Sequence, residues 1–209
     1  MRVLVITSNP KTKGALASLT EEAVRGATEA GAEVEQIRLA DCNIGYCKFC
    51  MTCFKDKDSP IGPCVQKDDM KWILEKLKKA DGYVMVSQVS SGHLNARFKT
   101  FVERCCYTAG RAGRMLGIEG IPETRFTDKH RFTVTIVSAG SIPSWLRAFC
   151  NTATKQMEEL SKYTFNSKVI GRQYAGNLTF GGYKKSYGDK AYRLGRHLVE
   201  KITKMNVLG

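Results

Sequence analysis

The sequence alternates short apolar runs with amphipathic segments, and this alternation constrains the fold more than any other feature. The first run, RVLVIT at residues 2–7, is rich in β-branched residues and is typical of a buried parallel strand. Residues 15–30 then place apolar side chains at helical spacing, and Gly31 follows at the position of a helix C-cap. Residues 33–39 form a second strand-like run. A strand, a helix and a strand in this order predict a βαβ unit with a right-handed crossover.

The same alternation continues to the end of the chain. Further strands are predicted at 82–86, 131–137 and 168–174, and further helices from Met70 to Ala80 and at 95–108, 144–163 and 187–205. We expect Asp68 and Asp69 to cap the helix that begins near Met70. Five strands alternating with helices predict an α/β fold, a doubly wound five-stranded parallel sheet.

Two segments interrupt the alternation. A cysteine-rich loop covers about residues 42–66, and a segment rich in Gly, Arg and Pro at about 109–130 is predicted to be an irregular excursion. No internal repeat or linker divides the chain. We therefore expect residues 1–209 to form a single domain with an inserted cysteine-rich loop.

Composition indicates a globular protein that works in the cytoplasm. Of 209 residues, 43% are hydrophobic and 25% are charged, which excludes a disordered chain. No apolar stretch is long enough for a membrane span, and the N-terminal one is too short for a signal peptide. Because cytosolic thiols stay reduced, the eight cysteines indicate metal or redox chemistry rather than structural disulfides.

The net charge of +13 is concentrated in the second half of the chain. Residues 1–100 carry 15 Lys and Arg against 12 Asp and Glu, whereas residues 101–209 carry 18 against 8. This excess suits nucleic acid, a phosphorylated cofactor or an acidic protein partner, and equally a solvated basic surface.

The loop after the first strand has the features of a phosphate site. It reads TSNPKTKGAL at residues 7–16 and offers backbone N–H groups at a helix N-terminus, hydroxyls and two lysines. It lacks the glycines of a dinucleotide site and the GK[ST] of a P-loop, so a monophosphate is the better prediction. An ordinary polar loop is the alternative.

The loops after the third and fourth strands suit a flat polar ring. Residues 87–94 and 138–141 offer hydroxyls and small side chains at the same predicted edge of the sheet. His93 is a candidate to donate a hydrogen bond or a proton there, although a solvated loop histidine is the simpler interpretation.

The segment GYCKFCMTCFKDKDSPIGPC at residues 45–64 carries the strongest chemical signal. Cys47, Cys50 and Cys53 stand at three-residue spacing, and Cys64 follows after ten more residues. Zinc sites use two separated C-x2-C units more often, so the overlapping spacing favours an iron-sulfur cluster.

Other arrangements of the cysteines remain open. Cys42, Cys47 and Cys50 have the C-x4-C-x2-C spacing of plant-type 2Fe-2S proteins. The loop thiols are alternatively reduced cysteines without a metal. Cys105, Cys106 and Cys150 fall in predicted helices and are interpreted as small buried hydrophobic residues.

These motifs together resemble the iron-sulfur flavoproteins, within the flavodoxin-like NAD(P)H-dependent FMN reductases. The resemblance is strong over residues 1 to about 106 and thinner afterwards. The strong part is carried by these matching segments: Ser8-Asn9-Pro10 with Gly14, residues 29–44, Cys47, Cys50 and Cys53, CVQKDDM at residues 64–70, residues 80–88 and residues 99–104. The thinner part is carried by residues 138–140 and the final helix. The chain departs from the family by one extra residue in the first loop and by Gln88-Val89-Ser90 where the family has Pro-Val-Tyr. The family also has four to seven residues where this chain has ten before Cys64.

The resemblance implies a cofactor for each site. FMN phosphate would be held by Ser8, Asn9, Lys13, Gly14, Ala15 and Leu16, and the flavin by Gln88, Val89, Ser90, Ser91, Gly92, Ser138, Ala139 and Gly140. A 4Fe-4S cluster would be held by Cys47, Cys50, Cys53 and Cys64. We also expect a homodimer or homotetramer in which the cluster loop of one subunit lies near the flavin of another.

The predicted function is that of an oxidoreductase, a redox flavoprotein that transfers electrons between a donor such as ferredoxin or NAD(P)H and an acceptor. A cluster-free NAD(P)H-dependent FMN or quinone reductase is the first alternative. A zinc-stabilised nucleic-acid-binding module is the second, and it is disfavoured because the basic residues are not interleaved with aromatic ones.

Overall fold

The computed structural model describes residues 1–115, 118–149 and 151–208. The strands are β1 (Arg2–Thr7), β2 (Glu33–Arg38), β3 (Gly82–Ser90), β4 (His93–Leu94), β5 (Gly110–Met115), β6 (Ile118–Thr124), β7 (Arg131–Ser138) and β8 (Ser167–Ala175). The helices are α1 (Ala15–Glu29), α2 (Thr52–Lys55), α3 (Met70–Lys79), α4 (Ala96–Cys105), α5 (Thr152–Thr164) and α6 (Lys185–Leu208), with a 3-10 helix at Ser144–Phe149.

Five of the strands form one parallel sheet in the order β2-β1-β3-β7-β8. The short strand β4 adds an antiparallel ladder to the end of β3. The strand order reverses between β1 and β3, and in open α/β sheets ligands bind at such a reversal, outside the carboxyl ends of the strands. This topology confirms the predicted flavodoxin-like, doubly wound five-stranded sheet.

Alternation of side chains along β1 builds a hydrophobic core on each face of the sheet. Leu4 and Ile6 face the core that contains apolar residues of α3, α4 and α5, whereas Val3 and Val5 face the one that contains residues of α1 and α6. All four are at most 2% exposed. This two-sided burial explains why the strand is an uninterrupted apolar run rather than an alternating one.

Glycines allow α1 and α6 to pack closely. A Cβ added to Gly195 would lie 2.1 Å from the carbonyl oxygen of Ala23, and one added to Gly26 would lie 2.1 Å from that of Tyr192. Both neighbours are backbone atoms, so neither clash is relieved by a side-chain rotation. The two helices therefore approach each other through positions that accept no side chain.

We predict that Gly195→Ala lowers the free energy of unfolding by about 1–3 kcal/mol, the usual cost of overpacking. Gly188→Ala is the matched control, because its added Cβ meets the hydroxyl end of the half-exposed Tyr183 side chain. The control gains helix propensity and is expected to be neutral or stabilising. Urea unfolding of both variants measures the difference, and equal midpoints would contradict this account of the contact.

The predicted irregular excursion at 109–130 is wrong in its central part, because β5 and β6 pair there as an antiparallel hairpin. Glycine and proline residues interrupt the alternating apolar pattern that would predict these strands. The pairing register shifts between Gly113 and Arg114, and Gly120 has a φ of 90°, so no strict alternation of apolar residues survives.

The single helix predicted at 144–163 is also wrong. A 3-10 helix occupies Ser144–Phe149, and α5 begins separately at Thr152. The side chain of Asn151 accepts the N–H of Thr154, so Asn151 caps α5 as a new helix. The prediction for Cys150 lies outside the described residues.

Capping at the starts of α3 and α4 follows local sequence signals. Asn95 caps α4 by accepting the N–H of Phe98. Asp68 accepts the N–H of Met70 at the start of α3, as predicted, whereas the Asp69 carboxylate accepts from the Asn43 N–H and the Trp72 indole instead.

Across the described ranges, no helix combines the length and the apolar character needed to span a membrane.

Candidate functional site

The three loops predicted to bind a ligand lie at one edge of the sheet. β1 ends at Thr7, which is opposite Val86 near the end of β3. β3 and β7 stay paired as far as Gln88 and Ser138. All three strands are parallel, so their carboxyl ends point the same way. The fold therefore brings the predicted phosphate and flavin residues to a common edge.

Ser8 shapes the first loop from inside. Its N–H donates to the Val86 carbonyl at 3.1 Å, its hydroxyl donates to the Ser87 hydroxyl at 3.0 Å, and its own carbonyl accepts from the Asn95 side chain at 3.2 Å. The residue is fully buried. Asn9 is also buried, and its side-chain oxygen accepts the N–H of Lys11. Both predicted residues thus hold the loop in shape.

The start of α1 presents free backbone donors. Gly14 occupies the N-cap position with a φ of 106°, and within the described chain no side chain caps this helix or adds an acidic group to its first turn. Lys13 is exposed, Ala15 is half-buried and Leu16 is buried. Ala15 and Leu16 can therefore contribute only their backbone N–H groups to the site. Exposed N–H groups and the positive end of a helix form a natural anion site.

The ends of β3 and β7 supply the other side of the site. Ser91 and Gly92 have φ values of 48° and 82°, which fit a two-residue turn between β3 and β4. Gln88 and Val89 are half-buried, whereas Ser90 and Ser91 are exposed. His93 is exposed and pairs with Ser90 in the ladder, so its catalytic role stays a prediction.

The β7 loop is fixed by the segment that follows β8. The carbonyls of Ala139 and Gly140 accept the N–H groups of Leu178 and Thr179 at 3.1 and 2.9 Å. Ser138 and Ala139 are buried, and Gly140 is exposed. A Cβ at Gly140 would lie 2.7 Å from the Thr179 hydroxyl, so glycine allows this close contact.

The four predicted cluster cysteines line one cavity of about 490 Å³. Cys47 and Cys50 are exposed, whereas Cys53 and Cys64 are half-buried. Cys106, at the end of α4, lines the same cavity, so five thiols share it. The interpretation of Cys106 as a small buried hydrophobic residue is therefore wrong, although Cys105 is fully buried as predicted.

The thiols of this cavity influence one another electrostatically. Burial raises the pKa of Cys53, and the neighbouring Cys64 and Cys47 raise it further. Burial likewise raises the pKa of Cys106, with added contributions from Cys53 and Cys47. The hydrogen bond with the Thr52 hydroxyl lowers the pKa of Cys50.

A buried arginine connects the cavity to the start of α3. Arg104 donates to the Cys64 sulfur at 3.3 Å, to the Gly45 carbonyl at 2.8 Å and to both carboxylate oxygens of Asp68 at 2.5 and 3.0 Å. The side chains of Arg104 and Asp68 are 1% and 8% exposed. Burial opposes ionisation of Asp68, but the hydrogen bonds from Arg104, Gly45 and Met70 outweigh it and lower its pKa.

A second buried arginine holds the long segment between Cys53 and Cys64. Arg125, at the end of the β5–β6 hairpin, is 1% exposed at its side chain and pairs with Asp56. It also donates to the carbonyls of Cys53 at 3.1 Å, Ser59 at 2.7 Å and Gly110 at 2.6 Å. The ten-residue insertion is therefore tied to the hairpin that the sequence pattern did not reveal.

We predict that Arg125→Met lowers the free energy of unfolding by about 2 kcal/mol, because charge-assisted hydrogen bonds to buried groups are lost. The segment after Cys53 is expected to become sensitive to limited proteolysis before the rest of the chain unfolds. Arg111→Met, which breaks an exposed pair with Glu123 in the same hairpin, is the control and should change stability by less than about 1 kcal/mol. Equal proteolysis of both variants would contradict the assignment.

The chemistry of the cysteine cavity fits a thiolate-bound cluster, although the side chains are not gathered as a formed metal site. Among the described residues, no group of three or more His, Cys, Asp or Glu side chains is arranged to hold a metal ion. Soft thiolates are the ligands that iron-sulfur clusters use, and the cavity offers at least four. Cys42 donates to the Arg38 carbonyl and is not one of the described residues lining the cavity, which disfavours the 2Fe-2S alternative.

Sequence reasoning missed three residues of this region. Arg125 was counted only as part of the basic excess, and Arg104 only as part of that excess and of the 99–104 resemblance. Both are buried and organise the cysteine loop. Cys106 was grouped with Cys105, although adjacent helical residues point about 100° apart. That angle was the signal available in the sequence, because it gives the two adjacent thiols different surroundings.

The fold is that of a flavodoxin-like α/β protein in which the three predicted ligand loops share one edge of the sheet. A family model described as NADPH-dependent FMN reductase matches residues 1–141. The chain therefore belongs to the NADPH-dependent FMN reductase family, which confirms the predicted class of flavin-dependent oxidoreductases.

Curated relatives of this chain are named iron-sulfur flavoproteins. One from Methanocaldococcus jannaschii is 35% identical over 104 residues, which cover 50% of this chain and 51% of that protein. One from Archaeoglobus fulgidus is 29% identical over 104 residues, which cover 50% of this chain and 45% of that protein. The chain spans about half the length of the curated relatives it matches. These matches confirm the resemblance predicted from sequence.

Solved structures share the fold over nearly the whole chain. A flavone reductase aligns with a TM-score of 0.71 and 19% identity, covering 99% of this chain and 64% of that one. The NAD(P)H:quinone oxidoreductase from Methanothermobacter marburgensis aligns with a TM-score of 0.66 and 17% identity, covering 97% and 98%. At these identities the similarity supports the fold alone.

Proposed function

We propose that this protein is a cytoplasmic redox flavoprotein that carries FMN at the strand-end edge and a 4Fe-4S cluster in the cysteine cavity. The observation that carries the proposal is the presence of Cys47, Cys50, Cys53 and Cys64 around one cavity of a fold whose family is named for FMN. The cysteine spacing favours an iron-sulfur cluster, the family resemblance implies the 4Fe-4S type, and the shared cavity supports the proposal independently.

The FMN phosphate would lie against the uncapped start of α1. Backbone N–H groups after Gly14 and the charge of Lys13 would bind the anion, while buried Ser8 and Asn9 hold the loop. The flavin would lie beside Gln88–Gly92 and residues 138–140, at the ends of β3 and β7. Exposed serines in these loops are available to hydrogen-bond its polar edge.

The cluster would be held by the four predicted thiolates, with Arg104 placed to stabilise the charge on Cys64. Hydrogen bonds to cluster sulfur ligands and partial burial are the means by which proteins tune such centres. The bound cluster supplies one-electron transfer, and FMN supplies the exchange between one-electron and two-electron chemistry. The contribution of the chain is to position the thiols and to limit solvent access around Cys53.

The partners proposed are a second copy of this chain and an acidic or nucleotide electron donor. Tyr46 and Phe49 in the cysteine loop are 75% and 80% exposed, and Trp145 and Phe149 beyond β7 are 79% and 84% exposed. Exposed aromatic residues near both sites support a homodimer or homotetramer. The basic surface suits ferredoxin or NAD(P)H as the donor.

Cofactor analysis of protein purified without oxygen tests the proposal. We expect about one FMN and about four iron and four acid-labile sulfide per chain, the composition of one 4Fe-4S centre. Zinc in place of iron, with salt-sensitive binding of nucleic acid and no flavin, would contradict it.

A cluster-free NAD(P)H-dependent FMN or quinone reductase is the second candidate. It is favoured by the fold shared with proteins named flavone reductase and NAD(P)H:quinone oxidoreductase. FMN without iron or sulfide in the same preparation would select it over the cluster-bearing protein.

A further inference from the structure

The cysteine cavity offers more thiols than one cluster requires. Cys47, Cys50 and Cys53, called the three loop cysteines below, stand at three-residue spacing in the cysteine-rich loop. The same loop contributes Cys64 near its end, and the end of α4 contributes Cys106. A 4Fe-4S cluster is held by four cysteines, so the three loop thiols need one more. The family pattern assigns that place to the next cysteine in sequence, whereas the folded cavity presents two.

The position of Cys106 is fixed by the surrounding backbone. It directly follows α4 with helical φ and ψ angles, and its N–H donates to the Glu103 carbonyl. Gly110 packs against it so closely that an added Cβ would lie 2.2 Å from the Cys106 carbonyl oxygen. Cys106 also lines the same cavity as Cys53 and Cys47.

Cys64 has a different setting. It lies between α2 and α3, where the structure has no regular element, and its sulfur already accepts a hydrogen bond from Arg104. The ten-residue segment that carries the chain to Cys64 is tied to Arg125 and, through the Gly62 N–H, to the Thr108 carbonyl. Cys106 is therefore positioned by the end of a helix, whereas Cys64 is positioned by hydrogen bonds within an irregular segment.

We propose that Cys106 is an alternative fourth ligand of the iron-sulfur cluster, able to replace Cys64. This inference rests on the proposed function. Exchange of the two ligands would break the iron–sulfur bond to Cys64 and form one to Cys106. The Cys106 thiol would release its proton to solvent, the freed Cys64 thiolate would take up a proton, and no oxidation state would change. Cys64 and Cys106 thus compete for one position, while the three loop cysteines occupy the others.

Alanine variants purified without oxygen test the inference through iron and sulfide content. Cys64→Ala and Cys106→Ala are each expected to keep about four iron per chain, and the double variant to lose at least about three of the four. Cys64→Ala combined with Cys105→Ala is the matched control, because Cys105 is fully buried in the core and absent from the cavity wall among the described residues. The control is expected to keep its iron, and FMN content reports that each variant is folded.

Two results would overturn the inference. Loss of iron from Cys64→Ala to the level of the double variant would make Cys64 the sole fourth ligand, and full retention by the double variant would exclude both residues. A wild-type protein without iron would instead overturn the proposed cluster itself, and the inference with it.

Thiol protection in Cys64→Ala supplies a second readout that needs no double variant. Iodoacetamide is applied to the protein before and after removal of iron, and the modified cysteines are located by mass spectrometry. Cys106 is expected to be protected only while iron is bound, as is Cys47. Alkylation of Cys106 in the iron-loaded variant would overturn the inference.

Discussion

Arg104→Met is expected to lower the free energy of unfolding by about 3–5 kcal/mol at neutral pH, the cost of breaking a buried ion pair by removing one partner. In the variant, Asp68 would remain a buried carboxylate without a cationic partner. The Asp68 side chain is 8% exposed and the Arg104 side chain is 1% exposed, so water does not replace the lost guanidinium. The hydrogen bonds to Gly45 and Cys64 would be lost with it.

The effect depends on pH in a direction set by Asp68. Its pKa is lowered in the folded protein, so its ionisation adds stability above the ordinary aspartate pKa of about 4 and loses this contribution as the pH falls through the lower folded value. The variant lacks this gain. The difference between wild type and variant is therefore largest near neutrality and shrinks in acid.

Urea unfolding at pH 7 and at about pH 3, below the ordinary aspartate pKa, measures both parts of the prediction. Arg97→Met is the control, since Arg97 is an exposed residue on the same helix and its loss is expected to cost less than about 0.5 kcal/mol. An equal loss in the two variants, or a difference that grows in acid, would contradict the role assigned to Arg104.

Cys53→Ala is expected to remove the cluster and leave the flavin. Iron content should fall from about four per chain to less than about one, because a three-cysteine set remains when Cys64 and Cys106 share one position. Cys53 is half-buried and lines the cavity together with Cys47, Cys50, Cys64 and Cys106. FMN is expected to stay, because its proposed site lies on the β1, β3 and β7 loops.

Cys42→Ala is the matched control for the loss of iron. Its thiol is hydrogen-bonded to the Arg38 carbonyl and packs against the hydrophobic core. Iron, sulfide and flavin are all expected to stay at wild-type content. Loss of iron from the Cys42 variant and not from the Cys53 variant would revive the C-x4-C-x2-C arrangement.

The main sheet was predictable because its strands are buried on both faces. RVLVIT is a near-continuous apolar run, and RFTVTIV alternates apolar residues with threonines that are also buried. The order of these strands and the helices is compatible with one topology class. The β5–β6 hairpin was not predictable in this way. Its register shift and glycines interrupt the alternation on which strand prediction depends. Hydrogen bonds from Arg125 connect the hairpin to the cysteine-rich loop, and such contacts leave no hydrophobic pattern in the sequence.

The site was predictable where it depends on strand ends and cysteine spacing. The loops after β1, β3 and β7 meet because parallel strands share their carboxyl edge. Arg104, Arg125 and Cys106 were not found, because each acts on residues far away in sequence. Cys106 is 53 positions after Cys53, a separation at which no spacing motif applies.

The most direct test of the central claim is a reductive titration without oxygen, followed by absorbance and electron paramagnetic resonance. We expect two centres in one protein: flavin absorption that bleaches on reduction, and a reduced 4Fe-4S signal that integrates to about one spin per chain. A titration in which the flavin bleaches, with no iron-sulfur signal and no iron in the protein, would contradict the account.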